Sequence, residues 1–188
     1  MRTLLFLCLA GLCAATPAPA DDAPPAAPPE WFRAHLAYLT AGDGAWVTDN
    51  AAYRSADEPA DAYEVTYVWG AGKQTAVGAM RAITGGKRSG VIWDYRVFWD
   101  PGARKAVIEQ WGFHGVYGTG ETSFVSGTQV RSEQTFFAPD GVGNRSAHDW
   151  IVDGPQQHTT RTFTFEDDAW QPGRTYVWKR TEAQKTND

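Results

Sequence analysis

Cysteine is almost absent from this chain of 188 residues: Cys8 and Cys13 are the two that occur. Both lie in a segment with a signal-peptide pattern, in which Arg2 precedes an apolar run from Leu4 to Ala15 and a small-residue cleavage site ends at Ala20. We expect residues 1–20 to be cleaved on export, and the large Leu12 disfavours the alternative of lipid attachment at Cys13. The exported domain then has no disulfide, no thiolate metal site and no cysteine nucleophile.

Other features are missing as well. No run of about 18 or more uncharged apolar residues occurs, so no membrane-spanning helix is expected after cleavage. The chain has 17 Lys and Arg against 22 Asp and Glu, a net charge of −5, and no basic cluster, which argues against nucleic-acid binding. No complete catalytic or cofactor motif is present, and no Gly-x-Ser-x-Gly elbow occurs.

The remaining chain divides by composition into three parts. Residues 21–29 are rich in Pro and Ala and indicate a linker, residues 30–181 form one domain, and residues 182–188 are a polar tail. Apolar residues spaced along 30–40 predict one short amphipathic helix, which Gly42-Asp43-Gly44 ends.

Beyond Gly44 the chain alternates between apolar and polar residues, as Tyr63, Val65, Tyr67 and Trp69 do, which is the period of a β-strand. The same pattern recurs at about 75–83, 90–99, 104–117, 121–126, 128–138, 145–152, 158–166 and 174–180. Short connections without helices predict an all-β fold: an antiparallel up-and-down barrel of about nine or ten strands with one short N-terminal helix.

One hairpin is predicted at Asp100-Pro101-Gly102-Ala103. If residue 100 faces 103, then 97 faces 106, 95 faces 108 and 93 faces 110. The opposite, solvated face holds Asp94, Arg96, Lys105 and Glu109. The inward face contains Val91, Trp93, Tyr95, Val97, Trp99, Ala106, Ile108, Gln110 and His114.

A second hairpin is predicted at Pro139-Asp140-Gly141, with residue 138 facing 142 and Arg131 facing Asp149. A slip of one residue in either hairpin would reverse its faces. The inward face contains Val130, Ser132, Gln134, Phe136, Ser146, His148, Trp150 and Val152.

Gly44-Ala45-Trp46 opens the first strand after a short helix, and Tyr176-Val177-Trp178-Lys179-Arg180 ends the barrel. In these features, residues 31–181 resemble the lipocalin-like (calycin) barrels, and especially the uncharacterised lipocalin-like domains of exported bacterial proteins. The resemblance implies that Trp46 packs at the closed end under Lys179 or Arg180. The strand number is nearer to the fatty-acid-binding and haem-binding relatives, but the Tyr-Pro of nitrobindin-like haem barrels is missing, since Val47-Thr48-Asp49-Asn50 follows Trp46.

These observations favour an exported, periplasmic or extracellular binding protein over an enzyme. We expect a small apolar or amphiphilic ligand in an aromatic lumen, with no cofactor and no metal. Arg161 alternates with Phe163 and Phe165, so its side chain faces the lumen if theirs do. We therefore count Arg161 among the predicted ligand-binding residues. The predicted ligand-binding residues are His114, His148, Gln110, Gln134, Arg161, Trp93, Tyr95 and Trp150.

Other interpretations stay open from the sequence. His114 or His148 could be a core histidine, a general base in an isomerase or hydrolase, a metal ligand or an axial haem ligand. Arg161 could lie at the rim with its head in water. Asp94 and Glu109 could imitate a glycosidase carboxylate pair, although Arg96 and Lys105 neutralise them. A surface module that binds polysaccharide or another exported protein is the third alternative.

Overall fold

The structure is a computed structural model that describes residues 27–181. The predicted signal peptide with Cys8 and Cys13, most of the linker and the tail at 182–188 lie outside the described residues and stay predictions. Within the described range, no helix is long and apolar enough to cross a membrane.

Ten antiparallel strands form one closed barrel, in which each strand pairs with its neighbours in the chain and β1 also pairs with β10. The predicted barrel and its single N-terminal helix are thereby confirmed. Closure leaves no sheet edge with unpaired backbone groups. The elements are α1 Glu30–Thr40, β1 Ala45–Asp49, β2 Ala62–Trp69, β3 Thr75–Thr84, β4 Lys87–Asp100, β5 Lys105–Gly112, β6 Tyr117–Ser126, β7 Gln129–Phe137, β8 Gly143–Gly154, β9 Gln157–Glu166 and β10 Ala169–Thr181.

Helix α1 covers one end of the barrel, which we call the closed end. Its buried side chains Phe32 and Leu36 pack on Val97 and Ile108, and Leu39 belongs to a second cluster with Trp46. These apolar residues are spaced so that they lie on one face of α1. That face packs against the barrel, and this packing stabilises the helix. At the opposite, open end lie the loop 50–61 and the turns at 113–116, 138–142 and 167–168.

Trp46 lies at the closed end with no exposed surface. Its indole N–H donates to the Leu39 carbonyl at 3.0 Å, and the Arg180 guanidinium carbon lies 4.0 Å from its ring centroid. Arg180 also donates to the carbonyls of Tyr38 (2.9 Å) and Ala41. The residue over Trp46 is therefore Arg180, one of the two that the resemblance implied, and it ties the last strand to the end of α1.

The second hairpin has the predicted register. Phe137 pairs with Gly143 and Arg131 with Asp149, and the two charged side chains form an ion pair at 3.0 Å. The predicted inward face of β7 and β8 is correct, since Val130, Ser132 and Gln134 are buried inside the barrel.

The first hairpin has a different register, offset by two residues: Val97 faces Ile108, and Tyr95 faces Gln110. The cause is a longer turn, because Asp100 pairs with Lys105 and its carboxylate accepts from the backbone N–H groups of Gly102 and Ala103 at 2.8 and 3.0 Å. Because side chains alternate with period two, this offset leaves the predicted faces unchanged.

The offset also removes the suggested carboxylate pair. Asp94 faces Trp111 and Glu109 faces Arg96. Glu109 therefore lies opposite a cation on the outer surface rather than opposite a second acid.

Two residues of the first hairpin that were predicted to point inward do not. The strand predicted at 104–117 ends at Gly112, and a tight turn at Phe113–Gly115 follows in which His114 has φ 70° and is exposed. Val91 is exposed because the β3–β4 pairing shifts between Met80 and Arg81, which turns Val91 outward beside Arg81. In both cases an interruption of the strand ends the alternation that the prediction extrapolated.

Candidate functional site

The barrel encloses a cavity of about 450 Å³ that reaches from the closed-end aromatic residues to the open end. Its size falls in the range of small-molecule sites, roughly 300–1,000 Å³. The cavity is lined by Val65, Tyr67, Met80, Trp93, Tyr95, Gln110, Val116, Phe136, Asn144, Ser146, His148, Trp150, Thr160, Thr162, Thr164, Tyr176 and Trp178.

The two sides of the cavity differ in chemistry. Strands β2 to β4 contribute the apolar wall, with the rings of Tyr67, Trp93 and Tyr95. Burial raises the pKa values of Tyr67 and Tyr95, so both phenols stay protonated. This wall offers large flat surfaces for apolar contact.

Strands β8 and β9 contribute the polar wall. Their register places Ser146 beside Thr164 and His148 beside Thr162, all facing the cavity. The Ser146 hydroxyl already donates to the Phe163 carbonyl at 3.0 Å. Among the described residues no hydrogen bond is found for the side chains of His148 and Asn144, which leaves them able to meet a ligand.

His148 is the titratable residue of this wall. Burial lowers its pKa to about 4, against the weaker opposing effect of Asp149, whose side chain belongs to the outer face. At about pH 7 the imidazole is therefore neutral and can both donate and accept one hydrogen bond.

Among the described residues, no Lys, Arg, Asp or Glu side chain lines the cavity. In the same range, no three His, Cys, Asp or Glu side chains are grouped so as to hold a metal ion. The lumen therefore presents apolar surface and neutral hydrogen-bonding groups.

The structure brings most of the predicted residues together. Gln110, His148, Trp93, Tyr95 and Trp150 line the cavity. Gln134 lies just beside it, where its carbonyl oxygen accepts from the Gln110 amide at 2.9 Å.

Two predicted residues lie elsewhere. His114 occupies the exposed turn beyond β5, with its ring centroid 3.9 Å from that of Phe113. Arg161 is exposed on the outer face and pairs across the sheet with Asp149. The prediction assumed that Phe163 faces inward, but Phe163 lies on the outer face, with the Arg131 guanidinium carbon 4.9 Å from its ring centroid. No guanidinium from β9 therefore reaches the lumen.

His158, which sequence reasoning missed, lies between the cavity and α1 with 1% exposure. Its ring contacts those of Trp46, Trp150 and Trp178, at centroid distances of 4.5, 5.6 and 6.1 Å. Neither ring nitrogen has a hydrogen-bond partner among the described residues. The signal was available, since residue 158 continues the inward alternation of 160, 162 and 164.

A polar network at the open end was also missed. Arg174 donates to both carboxylate oxygens of Glu58 at 2.6 Å each, and Glu58 accepts from Tyr63. Arg174 and the Tyr63 hydroxyl lower the pKa of Glu58, with Arg174 as the main cause. Tyr176, which lines the cavity, donates to Asn50 at 2.9 Å. The network anchors the loop 50–61 to β10, which the sequence could not indicate because Glu58 and Arg174 lie far apart in the chain.

The state of His158 predicts how stability depends on pH. Burial is the main cause that lowers its pKa to about 3, and repulsion from His35 and Arg180 lowers it further. An unfolded histidine takes up a proton below about pH 6.5 while the folded one does not, so stability is complete above that pH and falls with acidification. His158 should account for a loss of about 2 kcal/mol in the free energy of unfolding between pH 7 and 5.

Urea unfolding of His158→Phe at both pH values measures this term. Between pH 7 and 5, the free energy of unfolding of the variant should fall by about 2 kcal/mol less than that of the native chain. The variant still loses some stability, because burial also lowers the pKa values of His35 and His148. His114→Gln, in the exposed turn, is the matched control and should keep the full loss. Equal losses in all three proteins would show that His158 takes up its proton in the folded state.

Fold and site together define a closed ten-stranded antiparallel barrel around an aromatic cavity. The fold is similar to the crystal structure of Rv2717c from M. tuberculosis, with a TM-score of 0.51 and 12% sequence identity over 80% of this chain and 98% of that chain. At that identity the likeness concerns the fold alone. No protein family and no curated protein that was compared matches the chain.

Proposed function

We propose that this protein is an exported barrel that binds a small, mainly apolar and uncharged molecule in its lumen. The observation that carries the proposal is the cavity of about 450 Å³, with an aromatic wall, a neutral hydrogen-bonding wall and no charged lining residue among those described. The sequence of residues 1–20 supports the export part of the proposal.

The absence of a charged partner restricts the ligand. A carboxylate drawn into the lumen would lose its hydration without meeting a cation, which costs several kcal/mol. Arg161, the cation expected there, lies on the outer face. An alcohol, ketone, ester or amide fits the polar wall better, because neutral His148 and Asn144 can pair with such a group.

Binding is favoured over catalysis at His148. With a pKa near 4, its imidazole is a weak base at about pH 7. No carboxylate lines the lumen of the described chain to orient it or to stabilise its protonated form. Its neutral ring instead suits a hydrogen bond that fixes the polar end of a ligand.

Displacement of the neutral dye Nile red, followed by fluorescence, tests the proposal. We expect 1-decanol to compete at a concentration about tenfold or more below that of decanoate at about pH 7, because only the alcohol enters without losing a charge's hydration. Equal competition by the two would contradict an uncharged-ligand site.

A pair of serine variants provides the location control. Ser146 faces the cavity and donates to the Phe163 carbonyl, whereas Ser123 is exposed on β6 and donates in the same way to the Arg131 carbonyl. Ser146→Trp should fill the lumen and weaken dye binding about tenfold or more, while Ser123→Trp should bind normally. If a folded Ser146→Trp protein bound the dye with native affinity, the dye site would lie outside the lumen.

A further inference from the structure

A row of aromatic residues lies on the outer face of the barrel at its open end. Trp111, Tyr117 and Phe137 are direct neighbours across β5, β6 and β7. The Trp111 and Tyr117 ring centroids lie 5.6 Å apart, and Trp111 and Phe137 are 40% and 39% exposed. No single segment of the sequence shows this row, because its three members come from three separate strands.

Two turns extend this row beyond the sheet. Phe113 and Val142 are 64% and 69% exposed, the highest values among the large hydrophobic residues described. The turns lie side by side, since a Cβ added to Gly115 would be 3.6 Å from the Pro139 side chain. We call Trp111, Phe113, Tyr117, Phe137 and Val142 the rim patch.

The rim patch borders the mouth of the cavity. Val116, between Phe113 and Tyr117 in the chain, lines the cavity, and so does Phe136, which precedes Phe137. The inner and outer surfaces of this side of the mouth therefore both carry apolar side chains, and the polar residues His114 and Asp140 lie in the two turns between them.

The charges around the rim patch are mixed, with one more acid than base. The Arg96 guanidinium carbon lies 5.7 Å from the Trp111 ring centroid, and exposed Arg145 lies on neighbouring β8. Against them, Glu109 accepts from the Tyr117 hydroxyl at 3.0 Å, and Asp140 accepts from the Val142 backbone N–H. Exposed Asp94 also pairs across the sheet with Trp111. Any surface that binds here must therefore be attracted mainly through apolar contact.

We propose that the rim patch docks the open end onto a lipid bilayer, so that an apolar ligand passes between the acyl chains and the lumen without crossing water. Aromatic residues with arginine heads beside them suit the bilayer interface, and projecting Phe and Val side chains can enter the acyl region. The proposal rests on the lumen function above. A polysaccharide fits less well, because Phe113 and Val142 offer sugar hydroxyls no hydrogen bond.

Sedimentation with phosphatidylcholine vesicles tests the docking. We expect Phe113→Ser with Val142→Ser to lower the vesicle-bound to free ratio about tenfold or more, since two exposed apolar side chains no longer insert. The matched control is Phe124→Ser with Val125→Ser, which removes the same residue types at 51% and 48% exposure from the closed end. The native protein and both double variants have the same residues 1–26. A difference in vesicle binding between the variants therefore cannot come from that segment.

The outcomes separate the two proposals. A native protein that does not sediment with vesicles, or equal loss in the two variants, overturns the docking. Binding to insoluble cellulose that only the rim variant loses overturns it in favour of a polysaccharide surface. Nile red binding in vesicle-free buffer should be unchanged in the rim variant. Failure of the native protein to bind Nile red would contradict the lumen function. Failure to sediment with vesicles would contradict only the docking, because that assay contains no dye.

Discussion

Trp46→Ala should lower the free energy of unfolding by about 4 kcal/mol, the loss typical when a fully buried large aromatic side chain is cut back to Ala. The indole fills the closed end between α1 and the last strand, and its removal leaves a cavity that the closed barrel cannot collapse around. It also deprives the Leu39 carbonyl of its 3.0 Å donor and Arg180 of the ring beneath it. Chemical denaturation followed by circular dichroism measures the loss.

Trp111→Ala is the matched control for this prediction. The same side chain is removed, but at 40% exposure on the outer face of β5. We expect a loss of about 1 kcal/mol, because part of the ring surface is already in water. If the two variants were equally stable, the close packing of Trp46 would not be what holds the closed end.

Gly44→Ala should cost about 3 kcal/mol or more. A Cβ at this position would lie 1.9 Å from the backbone oxygen of Tyr67, and the φ of Gly44 is +64°, in the left-handed region. The backbone cannot move away freely, because the Tyr67 N–H donates to the Gly44 carbonyl at 2.9 Å. Relief of the overlap must separate the start of β1 from β2.

Gly42→Ala isolates the steric part of this effect. Gly42 has a similar φ of +62°, but a Cβ there would meet nothing within 4 Å. It should therefore cost about 1 kcal/mol, from the left-handed conformation alone. Thermal or urea unfolding measures the stability of the two variants. Equal losses of stability would mean that the overlap of the new Cβ with the Tyr67 carbonyl does not destabilise the protein.

On β5 and β8, the period of two in the sequence is enough to predict which residues face the lumen. Gln110, His148 and Trp150 were placed inward correctly, even though the first hairpin was registered two residues away from its true pairing. An even offset keeps every side chain on its face, so this error left the predicted wall intact.

The prediction is wrong where a strand ends, and on β9, where the aromatic residues that alternate along the strand face outward. His114 was placed by continuing β5 through Gly112, where the chain instead turns. Arg161 was placed by its alternation with Phe163 and Phe165, which are as aromatic as a core but cover the outer face beside Arg131 and Arg145. Aromatic content alone does not identify the inner face when arginines provide an outer partner.

By itself the sequence determined the single short helix, the run of antiparallel strands and the side of most lumen residues, because those properties depend on local periodicity and turn chemistry. Only the tertiary structure decided that Arg174 meets Glu58 at the open end, and that Trp111, Tyr117 and Phe137 form one row. These are contacts between distant parts of the chain, fixed by closure and register rather than by any local pattern. The row of Trp111, Tyr117 and Phe137 forms part of the bilayer face that we propose.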